Sequence, residues 1–485
     1  MKAAYLAIVG MVFVLLISCV KTDSSYVIPP TQQAPDTLIS KSVINAFVQQ
    51  QLAAHGYFDW KMASDTMVWS ALLHGDNILS VGYEAGSSAG EILQLIPQKA
   101  ATASVMRTAT GDKLRFLQLR VSDYATVKAL RASDRVRYAE PVGYGAYMRE
   151  ATDKDATAAS DILASGCGYN NAKSDLVAGT DYTLISPGAK LSWNYGFHRI
   201  EQAWQRSTGQ RVKVMIIDTG VSPQQENLGT TFNQGLSTGR TIQKLGTFNG
   251  SPDDLCGHGT SMAGVLAGPR GTDGNTVGIA YNCDLTIVHA AENVVLLSTA
   301  AINGVTGAYV QGADDPAIKI ISMSMGTIFS SGQVKDALAY AYGKQKLMFC
   351  AAGTSTSFFA GFVGVIFPAN QPQVVAVTGI KDNLRDRCDN CHTGSKVDFA
   401  FVMQKTATGR NPLTIPMTGD APSTVGGSSV ATASCAAIAA LVWSKYPAYP
   451  RDSILARMVR ASGNASNRSS KFGWGLVNAE AAVGY

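Results

Sequence analysis

The sequence is poor in charged residues, and the charges it has are nearly balanced. Aspartate, glutamate, lysine and arginine make up 15% of the 485 residues, and the formal net charge is +5. No basic run and no basic patch interleaved with aromatic residues is visible, so the sequence does not indicate a nucleic-acid partner. Internal repeats and low-complexity tracts are also lacking. With 46% hydrophobic residues, the chain can instead bury one large core and a smaller domain.

The apolar run at the N-terminus is too short to span a bilayer comfortably. It covers residues 3–17 and follows Met-Lys, which is typical of the core of a signal peptide. The run ends in LISC at residues 16–19, which resembles the lipobox of bacterial lipoproteins. That resemblance implies cleavage before Cys19 and lipidation of Cys19. The protein would then be exported and held at a membrane of the bacterial cell envelope. An ordinary signal peptide with an incidental cysteine is the alternative.

Cysteine is scarce, with eight in the chain. If Cys19 carries lipid, seven remain, and an odd number outside the cytoplasm leaves at least one free thiol. Cys388 and Cys391 have metal-ligand spacing, and His392 is adjacent. A zinc site would need another pair at comparable spacing, and the sequence has none. A local disulfide between Cys388 and Cys391 is therefore favoured.

The other cysteines are less constrained by the sequence. Cys350 and Cys435 lie in apolar segments and are predicted to be buried thiols. A disulfide between Cys256 and Cys283 is one alternative that the sequence leaves open. Cys167 has no assigned partner.

Three short segments carry residues suited to catalysis. VKVMIIDTG ends an apolar run in Asp218, CGHGTSMAG places His258 between glycines, and GGSSVATAS places Ser429 at the start of an alanine-rich helix. A weak hydroxyl nucleophile needs an imidazole to take its proton and a buried carboxylate to fix the imidazole tautomer. Each residue alone is compatible with an ordinary turn, loop or helix cap. Together, in the order Asp, His, Ser, they predict a catalytic triad.

The same segments resemble the motifs of the subtilisin-like serine proteases, the subtilases. IIDTGV, GHGTSMAG and GSSVATA are similar to the aspartate, histidine and serine motifs of that family. Ordered matches extend the resemblance over about residues 190–485, including VGIAYNCDLTIV, SMSMG, FCAAG, FPANQPQVVAVTGI and FGWGLVNAEAAV. The resemblance implies peptide hydrolysis through an acyl-enzyme, with Ser429 as nucleophile, His258 as general base and then acid, and Asp218 as its orienting carboxylate. It implies no organic cofactor.

Alternating apolar strands and helical stretches predict the fold of this part of the chain. Strands are expected near residues 212–217, 285–290, 318–323, 347–352 and 373–379, which indicates an α/β fold with a doubly wound, mostly parallel sheet and helices on both faces. Asp218 follows a strand, and ligands of such sheets bind beyond the carboxyl ends of strands. His258 and Ser429 precede helical sequence, whose N-termini favour negative charge.

The family resemblance also implies a peptide-binding strand and a first specificity pocket. These would be formed by Ser324, Met325 and Gly326 and by Ala351, Ala352 and Gly353, respectively. An extended peptide would add to the strand through main-chain hydrogen bonds. The pocket residues carry no charge, so an uncharged, apolar P1 residue is expected.

One position departs from the family pattern. Subtilases usually have asparagine after A-A-G, where its amide donates to the oxyanion, and this chain has Thr354. Thr354 and the backbone N–H of Ser429 are therefore the expected oxyanion donors. The departure leaves a second hypothesis, a degenerate subtilase that binds peptides without cleaving them. A third is a processing protease dedicated to one partner polypeptide.

The region before the peptidase segments is predicted to be a small α+β unit. Ser40 is expected to cap an amphipathic helix, and a β-α-β succession ends in VRYAEP. This resembles the intramolecular chaperone propeptide of subtilases, which packs on the enzyme and places its C-terminal end in the active site. An accessory domain that stays attached is the alternative. The Ala/Ser/Asp-rich residues 151–160 form an expected exposed linker for processing.

These inferences divide the chain into five parts. They are a signal peptide, a lipid-anchored tether, a propeptide-like α+β region, a linker with lead-in and a subtilisin-like peptidase domain, at residues 1–18, 19–39, 40–145, 146–190 and 191–485. Calcium is common in subtilases, but the turn Asp273-Gly274-Asn275 is typical of an ordinary turn. No metal site is therefore predicted.

Overall fold

The computed structural model describes residues 37–97, 104–106, 108, 110–145, 167, 171–355, 362 and 364–484. The predicted signal peptide, Cys19 and the expected processing linker at residues 151–160 lie outside the described residues.

The N-terminal region is an antiparallel sheet with most of its helices packed on one face. Its strands are β1 (Ile78–Tyr83), β2 (Ser104–Met106), β3 (Phe116–Arg120) and β4 (Val136–Pro141), in the order β2-β3-β1-β4. Its helices are α1 (Lys41–His55), α2 (Asp65–His74), α3 (Ala89–Leu93), α4 (Gly111–Leu114) and α5 (Tyr124–Ala132). Ser40 Oγ accepts from Val43 N–H, so the predicted cap of α1 is confirmed. Because strand side chains alternate between faces, Leu79 and Val81 pack on α1, α2 and α5, while Ile78 and Ser80 face the other way.

The C-terminal part of the chain is built on a seven-stranded parallel sheet. After the hairpin of β5 (Tyr182–Ile185) and β6 (Ala189–Ser192), its strands are β7 (Lys213–Asp218), β8 (Ile242–Gly246), β9 (Asp284–His289), β10 (Ile318–Met323), β11 (Leu347–Ala351), β12 (Val375–Lys381) and β13 (Phe399–Gln404). The strand order is β13-β12-β11-β10-β7-β9-β8, and every pair is parallel. A last hairpin joins β14 (Leu413–Thr414) and β15 (Ser423–Thr424).

Helices cover both faces of this sheet. They are α6 (Ile200–Trp204), α7 (His258–Ala267), α8 (Thr299–Asp314), α9 (Gly332–Gly343), α10 (Gly427–Lys445), α11 (Arg451–Arg460) and α12 (Ala479–Gly484). The helices α7 and α10 share one core with Val214 and Ile216, and α8 and α9 share another with Met215 and Ile217. The predicted doubly wound α/β fold is confirmed. Among the described residues, α10 is long and apolar enough to cross a membrane, but here it is a buried core helix.

The five predicted strands form the centre of the sheet, and the two that were missed are its edges. The edge strand β8 is half-exposed and mixes polar with apolar residues, so it has a weak strand pattern. The other edge strand, β13, is apolar and buried. It follows β12 without an intervening helix, which breaks the β-α-β alternation on which the prediction rested.

The N-terminal sheet docks on α8 and α9 through its second face. Gln118 Nε2 donates to Asn303 Oδ1 at 2.7 Å and to Gln333 Oε1 at 2.9 Å. Ser80 Oγ donates to the same Gln333 oxygen at 3.0 Å. These side chains form a buried polar network between the two parts of the chain, in which each of them has a hydrogen-bond partner.

Aromatic residues make the other half of this contact. Trp60 stacks on Phe329, with ring centroids 6.0 Å apart, and Phe58 and Tyr144 meet Phe329 edge to face at 5.9 Å. Tyr144 follows β4 and is buried. The last described residues of the N-terminal region are thus fixed beside the segment that carries Phe329.

Two disulfides join cysteines among the described residues. One joins Cys388 to Cys391, as favoured by the sequence, and the other joins Cys167 to Cys256. The alternative of a Cys256–Cys283 bond is wrong, because Cys283 is a buried free thiol in the core. Cys350 and Cys435 are also buried and free, as predicted. Burial raises the pKa of the Cys350 thiol to about 12, so it stays protonated and unreactive.

Candidate active site

Asp218 and His258 are paired at the carboxyl end of the sheet. Asp218 is the last residue of β7 and is completely buried. Its Oδ1 lies 2.7 Å from His258 Nδ1 and also accepts the Thr219 N–H at 2.8 Å. Burial by itself lowers the pKa of His258, but the Asp218 carboxylate outweighs burial and raises the pKa above its ordinary value. This contact fixes Nδ1 on the carboxylate and leaves Nε2 for the cleft that His258 lines.

A second buried carboxylate, Asp254, shapes the loop before His258. Its Oδ2 accepts from Thr260 N and Oγ1 at 2.9 and 2.7 Å. Its Oδ1 accepts from Thr219 Oγ1 at 2.9 Å and from the N–H groups of Cys256 and Gly257 at 3.0 and 2.5 Å. Burial raises the pKa of Asp254. Sequence reasoning missed this residue, although its position four residues before the histidine was a usable signal.

Ser429 lies in the first turn of α10, on the same cleft as His258. Its hydroxyl donates to Ser324 O at 3.4 Å, and Ser324 Oγ donates back to Ser429 O at 3.0 Å. Catalytic hydrogen bonds are often long or misaligned in a free enzyme and tighten when substrate binds. The helix begins at Gly427, whose φ of +87° only glycine adopts easily, and a Cβ there would lie 2.9 Å from Thr354 Oγ1.

Thr354, the predicted oxyanion donor, lies beside the start of α10. Its Oγ1 accepts from Ser428 N–H at 3.2 Å and lies 3.0 Å from Ser428 Oγ. Ser428 Oγ in turn accepts from Gly353 N–H at 3.2 Å. The hydroxyl of Thr354 therefore supports the turn that presents Ser429, in addition to lining the cleft.

The predicted peptide-binding strand lines the cleft, but part of its edge is covered. Ser324, Met325 and Gly326 all line the cleft. Gly326 N–H donates to Val294 O at 3.0 Å, and Gly326 O accepts from Leu296 N–H at 3.0 Å. Residues 294–296 thus pair in parallel with this segment at Gly326. The main-chain N–H and C=O of Gly326, which are predicted to bind substrate, are therefore already hydrogen-bonded in this structure.

Two of the three residues predicted for the specificity pocket line the cleft. Ala351 and Gly353 line the cleft, whereas Ala352 is completely buried on the opposite side of the strand, since alternate residues point to opposite faces. The cleft is also not free of charge, because Asp389 from the Cys388–Cys391 loop lines it. Its carboxylate is 59% exposed and pairs with Lys381 Nζ at 2.5 Å. The hydrogen bond from Lys381 lowers the pKa of Asp389, which keeps this rim anionic.

Other residues of the cleft come from segments with no motif of their own. They are Val294, Val295, Ile366, Asn390, Gln404, Asn411 and Val425. Val425 directly precedes the serine motif, and the others lie in loops or at strand ends far from the three motifs in sequence. Only the folded sheet brings them together, so a motif search has no signal for them.

Both carboxylate oxygens of Asp273 accept hydrogen bonds from other protein groups. Asp273 Oδ1 accepts from Asn275 N–H at 3.0 Å, and Oδ2 accepts from Gln234 Nε2 at 2.8 Å. In the part of the chain that the structure describes, no group of three His, Cys, Asp or Glu side chains is arranged to hold a metal ion.

Comparisons with known proteins agree with this architecture. The subtilase family, Peptidase_S8, matches residues 209–475, which is more than half of the chain. Subtilisin DY from Bacillus licheniformis is 29% identical over 277 residues, covering 57% of this chain and 92% of that protein. Thermitase from Thermoactinomyces vulgaris is 28% identical over 298 residues, covering 61% and 97%.

A solved structure shows the same fold at lower identity. The epidermin leader peptide processing serine protease of Staphylococcus aureus superposes with a TM-score of 0.57 at 16% identity, over 84% of this chain and 99% of that one. The family match, the parallel sheet and the relatives lead to one conclusion. This chain belongs to the subtilase family and is a subtilisin-like serine protease.

Proposed function

We propose that this chain is an exported serine endopeptidase that acts through Ser429, His258 and Asp218. The observation that carries the proposal is the 2.7 Å contact of His258 Nδ1 with Asp218, on a cleft shared with Ser429. His258 takes the proton of Ser429 as the hydroxyl attacks the scissile carbonyl, and later returns a proton to the leaving amine. Water then releases the acyl group. The backbone N–H of Ser429 and the hydroxyl of Thr354 donate to the oxyanion.

A fluorophosphonate probe tests this proposal against a peptide-binding role. An activated Ser429 forms a covalent adduct, and the adduct can be located by mass spectrometry on the peptide that carries it. A folded wild-type protein that neither labels nor cleaves peptides would favour the degenerate subtilase. The third hypothesis, a protease dedicated to one partner, draws support from the name of the S. aureus relative. A proteome-wide cleavage survey separates it from a general degrader.

We further propose that residues 40–145 are a propeptide. Their sheet docks on α8 and α9, and Tyr144 belongs to the same apolar cluster as Val295, which lines the cleft. Gly143 is packed so tightly that a Cβ there would lie 2.5 Å from Leu297 O. The chain therefore leaves this region next to the cleft wall, a suitable place to hand its following residues to Ser429.

Lipid anchoring at Cys19 is part of the same proposal, because the apolar run at residues 3–17 leads into LISC, which resembles a lipobox. The intact mass and N-terminus of the mature protein test it. A diacylated Cys19 at the N-terminus of any form that retains residues 19–39 supports the anchor, and an unmodified cysteine contradicts it. The same measurement locates the processing site.

Docking of the N-terminal region is expected to weaken at alkaline pH. Glu140 Oε1 accepts the Gly332 N–H at the start of α9, and burial raises the pKa of Glu140 to about 8. Asp59 and Asp336 raise this pKa further, and Lys335 opposes them. Since the pKa is raised in the docked state, docking is strongest below the ordinary glutamate pKa, weakens steadily as the pH rises above that value, and has lost this contribution once the pH passes about 8.

The pH dependence of docking can be measured on an uncleaved Ser429→Ala precursor. Between about pH 5 and pH 9 the free energy that favours docking should fall by up to roughly 4 kcal/mol. The fall should be measurable as a lower Tm and as faster proteolysis of residues 40–145. The Glu140→Gln form should show a much flatter dependence. Parallel curves for the two proteins would show that other groups control docking.

Loosening the segment that covers Gly326 is expected to improve the binding of long substrates. Asn293 Oδ1 accepts from Val295 N–H at 2.9 Å and so helps to hold residues 294–296 on the strand. Asn293→Ala removes this hydrogen bond, which should destabilise the conformation in which residues 294–296 cover Gly326 by about 1 kcal/mol. KM for a tetrapeptide substrate should then fall by roughly fivefold. A short ester that does not reach Gly326 should be unaffected, and Asn293→Asp, which keeps the acceptor, serves as the control. An unchanged or raised KM would mean that residues 294–296 are a fixed wall.

Removing the hydroxyl of Thr354 is expected to act on kcat. Thr354→Val should lower kcat on the order of 10²-fold and leave KM nearly unchanged, because oxyanion charge exists only in the transition state. Thr354→Ser keeps the hydroxyl and is the matched control. A wild-type kcat in Thr354→Val would show that the Thr354 hydroxyl does not stabilise the oxyanion and acts only through its contacts with Ser428.

A further inference from the structure

The disulfide between Cys167 and Cys256 ends two residues before His258. Cys256 is 5% exposed, and its partner lies 89 residues earlier in the chain. The bond thus connects a segment ahead of the peptidase core to the loop that delivers the imidazole. Neither cysteine has a role in the chemistry proposed above.

This loop is restrained by the hydrogen bonds of Asp254 and by the disulfide. Leu255 is 89% exposed and contributes no packing, and Gly257 has a φ of +85°. The backbone N–H groups of Cys256 and Gly257 are held by Asp254. The side chain of Cys256 is buried as well, and it is bonded covalently. Its bond to Cys167 is therefore the covalent restraint beside His258, complementing the hydrogen bonds to Asp254.

The position of Cys167 in the chain gives this bond a lasting role. Cys167 lies after the propeptide-like region and after the expected linker at residues 151–160. If the precursor is cut in that linker, as the proposed function has it, Cys167 stays with the peptidase. The restraint on the His258 loop would then persist in the mature enzyme.

We propose that Cys167 and Cys256 are positioning residues whose disulfide holds His258 in its productive place, so that the protease reaches its full rate only when this bond is formed. This inference rests on the proposed function. The bond forms by thiol–disulfide exchange: the two thiols lose two protons and two electrons to an external disulfide, which leaves as two thiols. A dithiol reductant reverses the step. A reducing compartment would hold the enzyme slow, and an oxidising one would release its full rate.

The test compares wild type, Cys167→Ser, Cys256→Ser and the double variant, assayed well below their Tm. Cys167→Ser is the gentlest change because Cys167 is only half-buried. Each variant should lose about 10- to 100-fold in kcat with little change in KM, since a small displacement of a catalytic group is costly. The singles and the double should lose the same amount, because all three remove one bond.

Two further readouts separate positioning from general stability. In the variants, the apparent pKa on the acid side of the kcat/KM profile should move down toward the ordinary histidine value, because a displaced imidazole loses part of its contact with Asp218. Dithiothreitol should lower the wild-type kcat to the level of the double variant. If dithiothreitol still lowers the kcat of the double variant, that further loss reports reduction of the Cys388–Cys391 disulfide.

The inference is overturned if folded Cys167→Ser and Cys256→Ser match wild type in kcat and in pH profile, or if their losses follow Tm alone. Fluorophosphonate labelling of the oxidised wild type keeps this outcome distinct from failure of the proposed function. Labelled and active wild type with unaffected variants removes only the positioning role. Unlabelled, inactive wild type removes the proposed function, and this inference with it.

Discussion

The Ser429→Ala protein is expected to hydrolyse no peptide at a measurable rate and to form no fluorophosphonate adduct. Loss of the nucleophile removes the acyl-enzyme route, and in a subtilisin the corresponding loss is on the order of 10⁶-fold in kcat. Residual turnover above the uncatalysed rate would come from oxyanion binding alone. Intact mass before and after incubation with the probe, together with a peptide assay, checks both expectations.

The same variant reports on maturation. If the precursor cuts itself, Ser429→Ala should accumulate as a chain that retains residues 40–145. Ser429→Cys is a useful companion, since it keeps a nucleophile in place while changing its chemistry. A Ser429→Ala chain processed at the normal position would show that another protease performs the cut, without removing Ser429 from hydrolysis.

Asp218→Asn is expected to fold normally and to lose about 10⁴-fold in kcat. An amide at this buried position can donate to His258 Nδ1, which favours the wrong imidazole tautomer and removes the charge that stabilises the imidazolium. The variant should also lack the raised pKa that Asp218 gives to His258. A pH profile of the residual activity would show the acid limb shifted to lower pH.

A matched change at Asp254 separates catalysis from loop architecture. The hydrogen bonds of Asp254 go mainly to the turn before His258 and to the start of α7, and none of those described above goes to the imidazole. Asp254→Asn should lower Tm as well as kcat, whereas Asp218→Asn should affect mainly kcat. Near-wild-type activity in Asp218→Asn would remove Asp218 from the assignment.

The sequence predicted the central fold because its signals are local. Apolar strands and the segments beginning at His258 and Gly427 can be recognised within about ten residues, and the five central strands lie where they were expected. The two edge strands were not predicted, for different reasons. The polar mixture in β8 hides its strand pattern, and β13 lacks the preceding helix that would have marked it.

The cleft was less predictable because it depends on contacts between distant segments. Asp389 reaches the cleft from a loop after β12, and residues 294–296 cover Gly326 from the loop after β9. Neither segment has a composition that indicates such a role. The partner of Cys256 was unpredictable for the same reason, since Cys167 is remote in sequence and nothing in its surroundings marks it.

The ring closed by Cys167 and Cys256 also changes what unfolding costs. It encloses β7 with Asp218, and His258 follows two residues beyond the ring, while Ser429 lies far outside it. A crosslink between residues 89 apart removes conformational freedom from the denatured chain, worth roughly 4–5 kcal/mol in the chain-entropy treatment. In the oxidised denatured chain, the ring shortens the average separation of the Asp218 carboxylate and the His258 imidazole, because a second covalent path joins the segments that carry them. Refolding therefore starts with these two groups closer together on average, whereas Ser429 has to be recruited from outside the ring.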